Sequence, residues 1–277
     1  MMNKLPKCLG DYLLRLEIYD FVMRLHEIGM GCRRISRAIM EVYNRQVSER
    51  TINEWISKQH CPLGNAIGFR KCPELGYVVG GWLGDGDKIY RYNNGHRQYI
   101  LRLRVTDYDL AKEWGRAAAI VTGKPQPYKP FPIKEDYSKK FGYKRRWGVC
   151  FSNVLLFQIL SVAKENPWTA YEILELYNYP GATLSGFFDA EGWITNAPSV
   201  FAEHTNYDLL LMMQELANKI GIHSKIYKRK KKRGRKQGYI LAIYRKDSVI
   251  KFYQKVNFKI RRKRIKLTEV LENSKWI

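Results

Sequence analysis

Apolar residues in the first sixty positions of the chain recur at helical spacing. Between residues 11 and 28, Leu13, Leu14, Leu16, Ile18, Phe21, Val22 and Leu25 line one side of a predicted helix, and Gly29-Met30-Gly31 stops it. A second helix is predicted over residues 33 to 43, with Ile35, Ala38, Ile39 and Val42 at i, i+3, i+4 and i+7. After the turn Asn44-Arg45-Gln46, Ser48 is a suitable N-cap for a third helix from residue 49 to about 58, buried through Ile52, Trp55 and Ile56. Two short helices joined by a tight turn suggest a helix-turn-helix, whose last helix would present Arg50, Asn53 and Lys58 to a duplex. Further along, the period becomes two. Tyr99, Leu101, Leu103 and Val105 fall on one face of a predicted strand, and Gln98, Arg102 and Arg104 fall on the other.

Beyond a linker expected at residues 63 to 74, the pattern repeats. Val78-Val79-Gly80-Gly81-Trp82-Leu83-Gly84-Asp85-Gly86 is echoed by Leu184-Ser185-Gly186-Phe187-Phe188-Asp189-Ala190-Glu191-Gly192. Thr106-Asp107-Tyr108-Asp109-Leu110 is echoed in the same order by Thr205-Asn206-Tyr207-Asp208-Leu209. One duplicated unit is implied: after each acidic motif come strands, a helix, a basic hairpin or loop, and another helix. The expected organisation is a helix-turn-helix domain over residues 1 to 62, the linker, a first unit over 75 to 180 and a second over 181 to 277.

Charge adds a partner to this picture. The 277 residues carry 49 Lys and Arg against 26 Asp and Glu, a formal net charge of +23. With 45% apolar and 13% aromatic residues the chain can still bury cores, which excludes wholesale disorder. The excess is concentrated between residues 225 and 266, where nineteen Lys or Arg face a single acid, Asp247. Its densest part, including Lys228, Lys230, Lys232 and Arg235, lies between two apolar runs and reads as the tip of a β-hairpin. The loop over 123 to 147, with Lys144, Arg145 and Arg146, mirrors it in the first unit. These surfaces call for a polyanion. No apolar run reaches the roughly 18 to 20 residues of a membrane span, and the N-terminus lacks a signal peptide's apolar core, so a cytoplasmic protein without a membrane partner is expected. The five cysteines form no C-x-x-C pair, which points to inert thiols rather than a disulfide frame or zinc site.

The chemistry is expected at the repeated motif. Read as a helix, each copy carries a stripe of small residues, Gly80 and Gly84 in one and Gly186 and Ala190 in the other, along which two helices can approach closely. Asp85 and Glu191, each just before a glycine able to end a helix, would then lie side by side. Two close carboxylates at helix C-termini are electrostatically poor unless a cation lies between them. Hard oxygen ligands suit Mg²⁺ or Mn²⁺, and phosphodiester hydrolysis by metal-activated water is the reaction this suggests.

With these motifs the chain resembles a LAGLIDADG homing endonuclease of the single-chain, two-motif kind over residues 75 to 270. The second copy is near the family consensus. The first departs at Val78-Val79 and at Leu83, which stands where the consensus has its first Asp. The resemblance implies an α+β fold made of a duplicated αββαββα unit with pseudo-twofold symmetry. Its two saddle-shaped antiparallel sheets would lie in the major groove of double-stranded DNA, contacted by a single polypeptide acting as a monomer. It implies cleavage of both strands with a divalent metal, with Asp85 and Glu191 as the essential acids and the carbonyls of Gly84 and Ala190 as further ligands. It also implies a late lysine near each scissile phosphate, with Lys164 the candidate in the first unit and Lys259, Arg261 and Lys263 in the second. Asp107, His204 and Asn206 are candidate water-organising groups, and Lys88, close after Asp85, is a candidate DNA contact. Two other roles are compatible with the resemblance: a DNA-binding regulator derived from such a nuclease, and a maturase that binds intron RNA.

Overall fold

In a computed structural model of the chain, the described residues are 7–59, 62, 68–93, 96–133, 145–230, 234 and 236–277. They divide into two compact units, residues 1–68 and 69–277, so the division falls inside the segment expected to be a linker. The first is all helical: α1 (Lys7–Glu27), α2 (Cys32–Tyr43) and α3 (Glu49–Ile56). Helix α1 ends in a Schellman arrangement. Gly29 adopts φ +85, its N–H reaches the His26 carbonyl, and the Met30 N–H reaches that of Leu25. The Ser48 hydroxyl accepts from the Thr51 N–H and starts α3. Ile18, Val22, Ile35, Ile39, Ile52 and Trp55 make a small closed core.

The second unit holds the duplication. The first repeat runs α4 (Pro73–Asp85), β1 (Gly86–Asn93), β2 (His96–Val105), α5 (Tyr108–Val121), β3 (Phe131–Pro132), β4 (Trp147–Ser152) and α6 (Val154–Ala163). A short α7 (Trp168–Ile173) and a 3-10 turn (Leu176–Asn178) lead to the second repeat. That repeat runs α8 (Pro180–Glu191), β5 (Gly192–Ile194), β6 (Val200–His204), α9 (Tyr207–Lys219), β7 (Lys225–Lys228), β8 (Tyr239–Ile243) and α10 (Lys246–Lys255), and α11 (Arg261–Asn273) follows. Each repeat builds a four-stranded antiparallel sheet of the same order, β1-β2-β4-β3 and β5-β6-β8-β7.

The two sheets are packed alike because their helices start and stop alike. Asp107 caps α5 by accepting from the Asp109 and Leu110 N–H groups, and Asn206 caps α9 by accepting from Leu209 N–H. Both helices end at a glycine of positive φ, Gly123 and Gly221, with the paired carbonyl contacts that α1 also shows. Helices α5 and α9 cover one face of their sheets. Leu101, Leu103, Val105, Val149 and Phe151 point inward in the first repeat, and Val200, Ala202, Leu241 and Ile243 in the second. The opposite faces carry no helix among the described residues.

Candidate active site

Helices α4 and α8 pack against each other along their small-residue stripes. A Cβ placed on Gly80 would collide with the Thr183 carbonyl oxygen, and one on Gly186 would collide with that of Tyr77. The approach persists to the helix ends, where a Cβ on Gly84 would stand 2.9 Å from Ala190 Cβ and 3.0 Å from Glu191 Cγ. Asp85 is the last residue of α4 and Glu191 the last of α8, so the two carboxylates share one end of the helix pair. The glycines that follow are not in the left-handed region, since Gly86 and Gly192 are extended, with φ −77 and −88. They are required for lack of room: a Cβ on Gly86 would overlap Trp82, and one on Gly192 would strike Phe188.

Two lysines sit beneath the acids in matching positions. Lys164 Nζ, following α6, donates to the carbonyls of Trp82 and Leu83 at 3.2 and 3.3 Å and lies 4.7 Å from the Trp82 ring centroid. Lys263 Nζ, in α11, donates to the carbonyls of Phe188 and Asp189 at 3.0 and 2.7 Å. Each lysine therefore holds the carbonyls three and two residues before an acid, and its positive charge offsets the negative end of a helix. Burial lowers the pKa of both, that of Lys263 to about 8, while Glu191 and Asp85 raise that of Lys164 and Asp189 raises that of Lys263.

The acids respond in the opposite sense. Although Asp85 retains solvent access, crowding by protein raises its pKa against the pull of Lys263, Lys164 and Arg146. Glu191 is raised to about 7, first by burial and then by the charge of Asp85. A solvent-accessible carboxylate next to a more enclosed one that it perturbs is a suitable pair of hard ligands for a divalent cation. The described residues contain no cluster of three or more His, Cys, Asp or Glu side chains. Two carboxylates without a full protein cage match the habit of Mg²⁺, which keeps waters and takes the rest of its ligands from a phosphate substrate.

Residues 178–257 match the LAGLIDADG-like domain family. "Uncharacterized protein MJ0398" of Methanocaldococcus jannaschii is 31% identical over 271 residues, which span 93% of this chain and 94% of that protein. The second repeat belongs to the LAGLIDADG-like family. Among solved structures, a variant of the homing endonuclease I-DmoI in complex with its target DNA in the presence of Mg shares the fold. Its TM-score is 0.50 at 19% identity, over 66% of this chain and 95% of that one. The homing endonuclease I-WcaI bound to its DNA recognition sequence has a TM-score of 0.49 at 17% identity, over 78% of this chain and 92% of that one.

Around the LAGLIDADG helices the expected groups take varied places. Lys263, expected near a scissile phosphate, is largely buried: its position continues the apolar stripe of Leu267, Val270 and Leu271 along α11, and its ammonium ends on the α8 carbonyls just before Glu191. Lys259 and Arg261 remain exposed. Lys88 lies on the helix-covered side of β1, with its Nζ 5.9 Å from the Phe157 ring centroid, opposite to the face of Arg102 and Arg104. Asp107 and Asn206 are occupied as helix caps. Asp107 also accepts from Arg262 at 2.7 Å, and Asn206 Nδ2 donates to the Lys164 carbonyl at 3.2 Å, so each cap ties down the segment bearing the other repeat's lysine. His204 Nδ1 accepts from Asn206 N–H, and burial together with Lys164 lowers its pKa. Asp189 is likewise structural. It accepts from Tyr77 Oη at 2.8 Å and from the Lys259 and Ile260 N–H groups, and burial raises its pKa to about 6.

On the uncovered face of the first sheet, Arg102 and Arg104 both pair with Asp87, and Gln98 accepts from Arg91. Arg145 lies 4.6 Å from the Trp147 ring centroid, and Lys228 and Lys230 are exposed. Lys144, Lys232 and Arg235 lie outside the described residues. Arg50, Asn53 and Lys58 are exposed on or after α3, Arg50 paired with Glu54. No helix of the described residues is long and apolar enough to cross a membrane.

Proposed function

We propose that this protein is a site-specific endonuclease that hydrolyses both strands of duplex DNA with a divalent metal. The observation that carries this reading is the convergence of Asp85 and Glu191 at the shared end of α4 and α8, above Lys164 and Lys263. Asp85 and Glu191 are the residues that would hold Mg²⁺ or Mn²⁺, with the carbonyls of Gly84 and Ala190 as further oxygen donors. Bound there, the metal would supply Lewis acidity toward a phosphodiester and an activated water. The protein's own part is placement and charge. Lys164 and Lys263 are each pinned by two carbonyls, so their ammonium groups are preorganised beside the acids and stabilise negative charge developing on a phosphate. Arg146, whose charge already acts on Asp85, adds to the same field. The uncovered sheet faces and the Lys228 to Lys230 edge would carry the duplex, and Arg50, Asn53 and Lys58 would extend the contact as an appended helix-turn-helix reader.

The test uses duplexes enriched from a randomised pool by the full chain and placed in a supercoiled plasmid. Linear product should appear with Mg²⁺ and not with EDTA. Tight, sequence-specific binding that leaves the plasmid uncut in Mg²⁺ and Mn²⁺ would instead make the protein a regulator.

A further inference from the structure

The uncovered faces of the two sheets occupy equivalent positions but carry different chemistry. Gly86 pairs with Leu103 as Gly192 pairs with Ala202, which fixes the correspondence. Across the first sheet, Asp87 pairs with Arg102 and Arg102 with Cys150, while Arg104 pairs with Gly148. At the same places the second sheet has Trp193 beside Phe201 beside Ala242, and Glu203 beside Ile240 beside Tyr227. The salt-bridged Asp87, Arg102 and Arg104 are thus replaced by Trp193, Phe201 and Glu203. Glu203 is turned aside by an ion pair with Arg229. What remains accessible on the second face is apolar, Trp193, Phe201 and Ile240 over the fully buried Ala242, bordered by Tyr227 and the exposed Lys225 and Arg229.

An apolar face edged by basic side chains fits a polyanion whose interior surface carries methyl groups, as the major groove does at thymine. Stacking on unpaired bases fits less well, because it needs free ring faces. Trp193 and Phe201 stack on each other at 5.6 Å and 19°. We propose that the two repeats read the two halves of the DNA site by different chemistry. The first repeat uses Arg102, Arg104 and Asp87 on the donors and acceptors of G·C pairs. The second uses Trp193, Phe201 and Ile240 against thymine methyl groups. This rests on the endonuclease reading and adds to it the base class that each sheet selects.

The experiment selects duplexes from a randomised pool with the full chain, without added metal so that cleavage cannot deplete the pool. The enriched site is then resynthesised with deoxyuridine for thymidine in one half or the other. Replacement in one half should weaken binding about fourfold per contacted methyl, equivalent to about 0.8 kcal/mol. Replacement in the other half should change Kd less than twofold. The pair Trp193→Ala and Phe201→Ala should bind more weakly and no longer distinguish thymine from uracil, whereas Arg102→Ala should keep that distinction. Equal affinity of the wild-type chain for thymine and uracil in both halves, or an undiminished distinction in the Trp193 and Phe201 variant, would overturn the proposal while leaving sequence-specific DNA binding intact. Failure to enrich any duplex, with preference for single-stranded RNA or for a protein, would overturn the DNA reading itself.

Discussion

Glu191 is the side chain on which the chemistry turns most directly. Its pKa stands near 7 against an ordinary 4.5, so between those values the folded chain holds a proton that the unfolded chain has released. That linkage lowers stability as pH rises through the window, and it makes metal binding compete with the proton below about pH 7. Calorimetric titration of Mg²⁺ at pH 6, in buffers of different ionisation enthalpy, should show up to one proton released. The release should fade by pH 8 and be absent in Glu191→Gln. Metal binding without proton release at pH 6 would contradict the assignment of Glu191 as a ligand. Asp189, two positions earlier, has a different task, since it satisfies Tyr77 Oη and two backbone N–H groups near the start of α11. Asp189→Ala should cost roughly 2–4 kcal/mol, because these donors lose their acceptor in a site that water does not reach. Thermal unfolding measures this, and an unchanged Tm would show that water replaces the carboxylate.

At the scale of elements, the helix pair α4 and α8 sets the distance between the acids. Gly80→Ala or Gly186→Ala forces a methyl into a backbone carbonyl of the facing helix, and each should destabilise the second unit by about 3 kcal/mol or more. Gly31→Ala is the control, because a Cβ there meets nothing within 4 Å. Similar unfolding midpoints for Gly80→Ala and Gly31→Ala would mean the helices can separate without cost. This pair is also the part most legible in the sequence, because close packing leaves a periodic stripe of small residues. Helices α5, α6 and α9 are legible for a similar reason, namely apolar periodicity bounded by Asp107, Asn153 and Asn206 as caps. The two-residue β3 is invisible because its pairing is supplied by β4, and the short α7 is hidden in an aromatic connection. Helix α11 is concealed by its basic residues. Its signal is Lys263 on the stripe otherwise formed by Leu267, Val270 and Leu271, a charge where a leucine would serve packing. Arg262 paired to Asp107 lies beyond such reading, since 155 positions separate them.

For the whole molecule, the helical unit and the duplicated unit each have their own core, and the duplicated unit contains both acids. Removing residues 1 to 68 should therefore leave a cooperatively folding fragment that still cuts but binds its site more weakly. Unchanged affinity and footprint would remove the helical unit from the DNA contact. Within the duplicated unit the two half-sites are unequal: Asp85 retains more solvent access than Glu191, Lys164 is less buried than Lys263, and an arginine face stands opposite an aromatic one. Because about 1.4 kcal/mol in barrier height changes a rate tenfold, such differences should separate the two strand cleavages in time. The most direct measurement is single-turnover cleavage of a supercoiled plasmid carrying the enriched site. It would follow strand-specific end labels for the wild-type chain, Asp85→Asn and Glu191→Gln in Mg²⁺. The wild-type chain should produce nicked circles before linear DNA, with one strand preferred, and each acid variant should bind the site but fail to make the double-strand break. A variant lacking either carboxylate that still cuts both strands at the wild-type rate would contradict the account.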